Sequence, residues 1–188
     1  MKPGSSAKGK AATAQEFLAV TQRAVLKQYL PRIVKCLEQL SEEEIWWRPN
    51  PESNSVGNLV LHLCGNVRQW IISGLGGAED VRERDLEFAE QGPVPREALV
   101  AQLRRTMREA SRVLARLREN ALLRKYEIQG YHVTGIYAVF QVAEHFSYHA
   151  GQIIYITKFK RGEDLKFTHL PPVKKKRNRQ PLAKAHNA

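Results

Sequence analysis

Two histidines near the end of a long apolar segment have the spacing of metal ligands. His145 and His149 lie four residues apart in a stretch, from Gly135 to about Lys160, whose apolar residues recur at helical intervals. In a helix this spacing places both imidazoles on one face, a single turn apart, where they can point at one ion. The same face carries apolar side chains, so both rings are expected to face the core. Two inward-facing polar rings need partners.

His62 is the candidate for a third ligand. It lies in another segment of helical periodicity and shares an inward face with Leu59 and Trp70. Zinc and similar ions bind neutral imidazole nitrogen, and catalytic sites commonly use three protein ligands and keep a fourth position open. We therefore predict that His62, His145 and His149 bind a divalent ion, with zinc and nickel as the leading candidates. The alternative for each histidine is a core residue whose ring is satisfied by hydrogen bonds.

Three further polar residues lie near these ligands in the sequence. Asn66 and Gln152 are each about one turn from a ligand on its own helical face, so each is a candidate to hydrogen-bond that ligand. The alternative for both is a buried amide that holds two helices together. Glu144 directly precedes His145 and is rotated about 100° from it, so it either points elsewhere or supports a ligand from the side.

Four long amphipathic segments are expected to position these residues. The predicted helices run from about Gln15 to Gln39, Ser55 to Ser73, Arg96 to Asn120 and Gly135 to Lys160. Long helices with one apolar face, joined by loops without convincing strands, predict an all-α fold, an up-and-down four-helix bundle. A short extended piece is expected between Lys125 and Thr134. The charged, aperiodic connection from Ala78 to Val94 is either a solvated loop or a cover over the site.

Composition limits the classes of function. The 188 residues, 43% of them hydrophobic, are enough for one domain with its own core, and no apolar run is long enough to cross a membrane. The N-terminus lacks the apolar centre of a secretory signal, so a cytoplasmic location is expected. Cys36 and Cys64 form no C-x-x-C pair, which argues against a disulfide framework or a cysteine-based zinc site. Both are interpreted as small buried side chains.

The net charge of +11 is concentrated at the two ends of the chain. Residues 1–14 carry three basic residues and residues 174–188 carry six, with no acidic residue in either segment, so the remainder is nearly neutral. We therefore expect disordered basic tails at residues 1–14 and 173–188, flanking a bundle at residues 15–172. Such tails would bind nucleic acid only weakly, because they have no aromatic residues for base stacking.

The order of several sequence blocks resembles the DinB-like superfamily. The resemblance spans about Gln15 to Leu170 and rests on Trp46-Trp47-Arg48-Pro49-Asn50, Asn54-Ser55-Val56-Gly57-Asn58-Leu59, His62, Gly65-Asn66-Val67-Arg68-Gln69-Trp70 and Glu144-His145-Phe146-Ser147-Tyr148-His149-Ala150-Gly151-Gln152-Ile153. It implies a four-helix bundle with a three-histidine metal site, one ligand from the second helix and two from the fourth. The matching positions here are His62, His145 and His149.

The resemblance also implies what the site does. The superfamily contains bacterial enzymes that join a low-molecular-weight thiol, such as bacillithiol or mycothiol, to an electrophile, and other members look hydrolytic. We therefore expect a metal-dependent enzyme with a small-molecule substrate, transferring such a thiol. The alternative is a non-catalytic bundle in which the metal only fixes helix packing, acting as a binding or stress-associated protein.

A homodimer through an exposed helix face is also expected, although the sequence does not identify that face.

Overall fold

The chain folds as an all-α four-helix bundle, seen in a computed structural model that describes residues 4–167. Its elements in chain order are α1 (Gly4–Arg23), a π-helical segment (Ala24–Tyr29), α2 (Leu30–Gln39), α3 (Glu42–Trp46), α4 (Val56–Val67), a second π-helical segment (Arg68–Ser73), α5 (Arg84–Ala89), α6 (Arg96–Arg116), α7 (Glu119–Leu123), β1 (Lys125–Ile128), β2 (Tyr131–Thr134) and α8 (Gly135–Arg161). The predicted all-α four-helix bundle is confirmed. Its helices do not alternate in direction throughout, because Arg96 at the start of α6 bonds Glu42, close to the start of α4, and Val113 near the end of α6 lies against Gly76, just after α4 and the π-helical segment that follows it. Helices α4 and α6 therefore run parallel. Within the described residues, no helix is both long and apolar enough to span a membrane.

Four helical segments surround a common core. They are α1 with α2, α4 with the π-helical segment that follows it, α6, and α8. Each contributes side chains that are 0% exposed, among them Ile33, Leu63, Leu99 and Phe146. Helix α4 contacts both α6 and α8, so its inward face meets that of α8. The fold therefore brings together the two faces on which the sequence places histidines.

The first helix begins well before its expected start at Gln15. Helix α1 extends from Gly4, so the part of the expected N-terminal tail that the structure describes is helical rather than disordered. The π-helical segment that follows leads into α2, which has Pro31 in its first turn. Proline has no N–H to donate, and it follows directly on the wider turn of the π-helical segment, in which Leu30 N–H bonds Val25 O. The expected C-terminal tail, residues 173–188, lies outside the described residues.

Helix α4 begins at a capping box. Ser55 Oγ accepts a hydrogen bond from the backbone N–H of Asn58 at 3.1 Å, and Asn58 Oδ1 accepts one from the backbone N–H of Ser55 at 3.1 Å. Both residues are 0% exposed. The side chains thus satisfy backbone donors that the start of a helix leaves unpaired. The predicted start of this helix at Ser55 is confirmed.

Asn58 also anchors the connection between α4 and α6. Its Nδ2 donates to the backbone oxygens of Glu87 and Glu90 at 2.9 and 2.8 Å, and Arg48 Nη2 donates to those of Phe88 and Glu90 at 2.9 and 3.1 Å. These carbonyl groups end a helix of six residues, α5, where they have no helical partner. The connection from 78 to 94, predicted to be aperiodic, therefore contains a short helix that is fixed against α4.

A β-hairpin precedes α8. Strands β1 and β2 pair antiparallel, with Ile128 opposite Tyr131. Between them, Gln129 and Gly130 have φ of 54° and 78°, the conformation that a tight two-residue hairpin turn requires. Thr134 Oγ1 then accepts a hydrogen bond from a backbone N–H in the first turn of α8 at 3.2 Å. The extended piece predicted between residues 125 and 134 is this hairpin.

Candidate metal centre

The three predicted histidines come together between α4 and α8. One ring nitrogen from each of His62, His145 and His149 lies within 4.8 Å of the other two. The Nε2 atoms of His62 and His145 are 2.9 Å apart, and the ring centroids of the three imidazoles are separated by 4.4 to 5.0 Å. Three imidazole nitrogens in this arrangement could hold one metal ion.

The rotation of α8 determines how deeply its two histidines are buried. Phe146 is 0% exposed and Tyr148 is 60% exposed, so the helix has one face in the core and one in solvent. His149 lies on the buried face, at 8% exposed, and His145 lies at its border and is half-buried. Solvent therefore reaches the group from the side of His145.

Glu87 holds His62 in one orientation. Its Oε2 lies 2.9 Å from Nδ1 of His62, and the two side chains are 11% and 6% exposed. Arg82 Nη2 lies 3.1 Å from the same nitrogen, but it also donates to Glu87 Oε2 at 2.8 Å. We place a proton on Nδ1, because an ionised carboxylate can only accept whereas the guanidinium already has an acceptor. The Nε2 lone pair of His62 then faces the other two histidines.

Arg82 keeps Glu87 ionised. Arg82 Nε and Nη2 donate to the two carboxylate oxygens at 2.7 and 2.8 Å, and the Arg82 side chain is 3% exposed. Burial opposes ionisation of Glu87, but hydrogen bonds from Arg82 and His62 outweigh it and hold the pKa of the carboxyl group below its usual value. Gln69 Oε1 accepts from Arg82 Nη1 at 2.9 Å, and Gln69 Nε2 donates to Asp80 at 2.8 Å. A continuous chain of hydrogen bonds thus leads from Asp80 to His62.

Gln152 holds His149 from the opposite side of the group. Its Oε1 lies 2.6 Å from Nδ1 of His149. An amide oxygen only accepts, so Nδ1 of His149 carries the proton and Nε2 carries the lone pair. Gln152 and His149 are three residues apart on one helix, which is the spacing at which side chains meet.

The other two polar candidates from the sequence are placed differently. Asn66 is 4% exposed, and its Oδ1 has no hydrogen-bond partner among the described residues. Glu144 lies on the solvent-exposed face of α8. The carboxylate that contacts a histidine is therefore Glu87, which comes from α5, and not Glu144, which is adjacent to His145 in sequence.

Glu87 and Arg82 are the site residues that sequence reasoning missed. Both lie in a connection that is rich in charged residues, where no periodicity distinguishes them. A signal that could have found them is Gly65, one turn after His62, because a Cβ at this position would overlap the Glu87 carboxylate. A glycine inside a helix is about 1 kcal/mol less favourable than alanine, so its presence often indicates that another group approaches closely.

Burial keeps two of the histidines neutral. It is the main cause that lowers the pKa of His145 to about 3, followed by repulsion from His149 and His62. Burial also lowers the pKa of His149, although its hydrogen bond to Gln152 acts in the opposite direction. Neutral imidazole is the form that binds a metal ion.

Neither cysteine has the properties of a nucleophile. Cys36 and Cys64 are 0% and 3% exposed, as the sequence predicted, and both are free thiols. Burial raises the pKa of Cys64 to about 12 and also raises that of Cys36. Both side chains are therefore protonated at neutral pH and behave as small apolar residues.

A groove of about 610 Å³ lies beside Gln152, the residue that bonds His149. It lies between the start of α4 and the C-terminal half of α8, and its lining includes Leu59, Tyr148, Gly151, Gln152 and Tyr155. Gln152 both lines the groove and bonds His149. A molecule in the groove would therefore contact the side chain that holds His149, but none of the three histidines lines the groove.

The bundle has the fold of two solved structures that are described as DinB-like. One, from Bacillus cereus, has a TM-score of 0.56 at 17% identity over 73% of this chain and 88% of that chain. The other, from Bacillus subtilis, has a TM-score of 0.58 at 18% identity over 80% and 94%. A conserved protein from Enterococcus faecalis is also similar, with a TM-score of 0.66 at 17% identity over 77% and 97%.

A family model classifies the chain more narrowly than the shared fold does. Residues 12–174 match the family described as protein of unknown function DUF1572. The chain belongs to this family, and it shares its fold with the two DinB-like structures. None of the curated proteins compared with the chain matches it.

Gly65→Ala tests the contact between α4 and Glu87. The added methyl group would overlap the carboxylate, so we expect the free energy of unfolding to fall by about 1–3 kcal/mol. Gly9→Ala, in helix α1, is the matched control, because its Cβ position meets no atom within 4 Å apart from the neighbouring backbone of its own helix. This control should be neutral or stabilising by up to about 1 kcal/mol. Urea denaturation measures both, and equal stabilisation by the two substitutions would contradict the close approach of Glu87.

Proposed function

We propose that His62, His145 and His149 bind one divalent metal ion, and that the chain is a metal-dependent enzyme that transfers a low-molecular-weight thiol to an electrophilic substrate. The observation that carries the metal site is the pair of hydrogen bonds at Nδ1, from His62 to Glu87 and from His149 to Gln152. Metal-binding histidines almost always donate their other ring N–H to a carboxylate, a carbonyl oxygen or water.

The orientation of the rings supports the same proposal. With its proton on Nδ1, His62 presents a bare Nε2 lone pair 2.9 Å from Nε2 of His145. In this tautomer Nε2 of His145 donates a hydrogen bond to that lone pair, and an ion bound by both nitrogens would take the place of the shared proton. Glu87, kept ionised by Arg82, would also make His62 a more basic ligand.

The donor set suits zinc, nickel or another late divalent ion. Three neutral imidazoles leave the full dipositive charge on the ion, and no carboxylate or thiolate belongs to the described group of three. Three protein ligands are also the usual number in catalytic zinc sites, where the fourth position is open to water or substrate. An ion held in this way would lower the pKa of a bound thiol or water, so that either could act as a nucleophile near neutral pH.

The protein would supply orientation and exclusion of water. Gln152 and Glu87 fix two of the three rings, and the ring of Phe88 lies 4.6 Å from that of His62 and covers it. The groove beside Gln152 is large enough to receive a small substrate. The connection that carries Phe88 would thus help to enclose the site.

The choice of a thiol is supported by the resemblance to the DinB-like superfamily with its thiol-dependent transferases. Because Cys36 and Cys64 are buried and protonated, the nucleophile would have to come from outside the protein. A thiol such as bacillithiol or mycothiol would meet that need, and water in its place would make the enzyme a hydrolase.

A metal that only fixes helix packing is the competing proposal. It is favoured by the low exposure of His62 and His149, at 5% and 8%. Such a protein would bind the ion without turnover and would act as a binding or stress-associated protein. Binding and turnover therefore need separate tests.

Metal content tests the ligand set. Untagged protein, stripped with a chelator, reloaded and dialysed, should contain about one ion per chain by mass spectrometry. His145→Ala should lose most of that ion, because two imidazoles remain. His132→Ala is the matched control, since His132 is an exposed residue of strand β2 outside the group. A metal content near zero, or one that His145→Ala leaves unchanged, would reject the site.

Metal affinity, measured by competition, tests the role of Glu87. Glu87→Gln keeps an acceptor for His62 but removes the negative charge, so we expect metal affinity to fall by about 10–100-fold in competition with a chelating dye. Glu83→Gln, at an exposed position of the same connection, should leave the affinity unchanged. Equal affinities for the two variants would mean that Glu87 does not support a ligand.

Turnover separates the enzyme from the structural alternative. The reloaded protein should consume an electrophile in the presence of bacillithiol, mycothiol or glutathione, and stripping should abolish the reaction. His149→Ala should remove this activity, whereas His132→Ala should retain it. Metal-restored hydrolysis of esters or amides would move the assignment to a hydrolase. A protein that gains thermal stability from the metal but shows no turnover with any of these substrates would favour the structural proposal.

A further inference from the structure

Helix α8 carries a row of exposed aromatic side chains. Its solvent-exposed positions recur every three or four residues and include Tyr137, Phe140, Glu144, Tyr148, Gly151, Tyr155 and Phe159, here called the α8 stripe. The five aromatic residues of the stripe are 50% to 74% exposed. The outer face of a bundle helix is ordinarily polar, and aromatic residues are enriched where proteins meet other proteins.

The stripe is large enough to form most of an interface. At roughly 200 Å² for each aromatic side chain, five rings at these exposures offer on the order of 600 Å². The largest apolar patch on a typical monomer is about 300–600 Å², and a stable interface of standard size buries about 800 Å² on each partner. The exposed area of the stripe is therefore at the upper limit for an apolar patch on a monomer, and it approaches the area that each subunit of a stable dimer buries.

Aromatic residues of the stripe occur at nearly the same distances from Tyr148 in both directions along the helix. Tyr137 and Phe159 both lie eleven residues away, and Phe140 and Tyr155 lie eight and seven residues away. An antiparallel pair of α8 helices, with a two-fold axis at Tyr148, would therefore place each aromatic residue opposite another. Self-complementarity of this kind is what an interface between two identical subunits requires.

We propose that two copies of the chain associate through antiparallel pairing of their α8 helices about a two-fold axis at Tyr148. Tyr137 of each subunit then packs against Phe159 of the partner subunit. In the same register, Glu144 of the partner subunit lies opposite Gly151 and Gln152, at the rim of the groove that Tyr148 also lines. The second subunit would thus form part of the wall of the groove. The pairing itself requires neither the metal nor the proposed reaction.

Solution mass tests the association. The full chain should have twice its monomer mass of 21.4 kDa by light scattering. Tyr137→Lys and Phe159→Glu should each weaken association by at least about tenfold, because a charge would be buried against an aromatic ring. An equimolar mixture of the two variants should associate again, since the lysine of one then meets the glutamate of the other. Leu123→Glu, at a residue 64% exposed on α7, is the control that should leave the dimer intact.

A disulfide tests the register. Tyr148→Cys should cross-link two chains on mild oxidation, because residues on the axis come within the 4.4–6.8 Å Cα separation of a disulfide. Tyr155→Cys is the matched control, because its two copies would lie about 21 Å apart along the helices and should not cross-link. The native Cys36 and Cys64 are buried and do not compete.

Three outcomes would overturn the proposal. The first is a monomer at high protein concentration. The second is a dimer that cross-links at residue 155 but not at residue 148, or that Leu123→Glu disrupts as strongly as Tyr137→Lys. The third is a monomer that sediments with phospholipid vesicles through the same aromatic residues, which would assign the stripe to a lipid surface. Circular dichroism of each variant checks that loss of association is not loss of folding.

Discussion

The candidate site depends on a buried ion pair, Arg82 with Glu87, placed behind a histidine. A carboxylate that is 11% exposed is stable in ionised form only because a guanidinium that is 3% exposed donates two hydrogen bonds to it. Removing one partner of such a pair typically costs about 3–5 kcal/mol, since the other charge is left buried and alone. The remaining acceptor capacity of Glu87 faces His62, and this contact decides which nitrogen of that ring is free. The connection between α4 and α6 is therefore part of the site as well as part of the fold.

His149 and His62 are each held by a hydrogen bond to another side chain. The two bonded pairs differ in how far apart their residues lie along the chain. Gln152 is three residues from His149 in the same helix, so formation of α8 is enough to bring these two side chains together. Glu87 is 25 residues from His62, and it arrives only because Asn58 and Arg48 bind the carbonyl groups at the end of α5. Gly65 completes the arrangement by leaving room for the carboxylate on the surface of α4. The backbone contacts that fix α5 are thus the condition for the orientation of His62.

This difference explains how much could be predicted from the sequence. Helical periodicity and the cap at Ser55 were sufficient to predict the bundle and the inward faces of α4 and α8. They also placed His62 on a face that could meet His145 and His149. The Glu87 contact was not predictable in this way, because α5 has no buried residue and hence no apolar pattern to reveal its docking. Glu144 was a candidate because it is adjacent to His145, but one residue along a helix is a rotation of about 100°, and that rotation places it in solvent. The early start of α1 was also missed, because small and basic residues gave no apolar stripe there.

X-ray absorption spectroscopy of the metal-loaded protein reports the ligands of the ion itself. For the zinc form, we expect three imidazole nitrogens at about 2.0–2.1 Å, together with an exchangeable oxygen ligand. Addition of the thiol substrate should replace that oxygen by a sulfur at about 2.3 Å. An ion with fewer than three imidazole ligands, a protein sulfur ligand before any thiol is added, or a shell that the thiol leaves unchanged would contradict an open site formed by His62, His145 and His149.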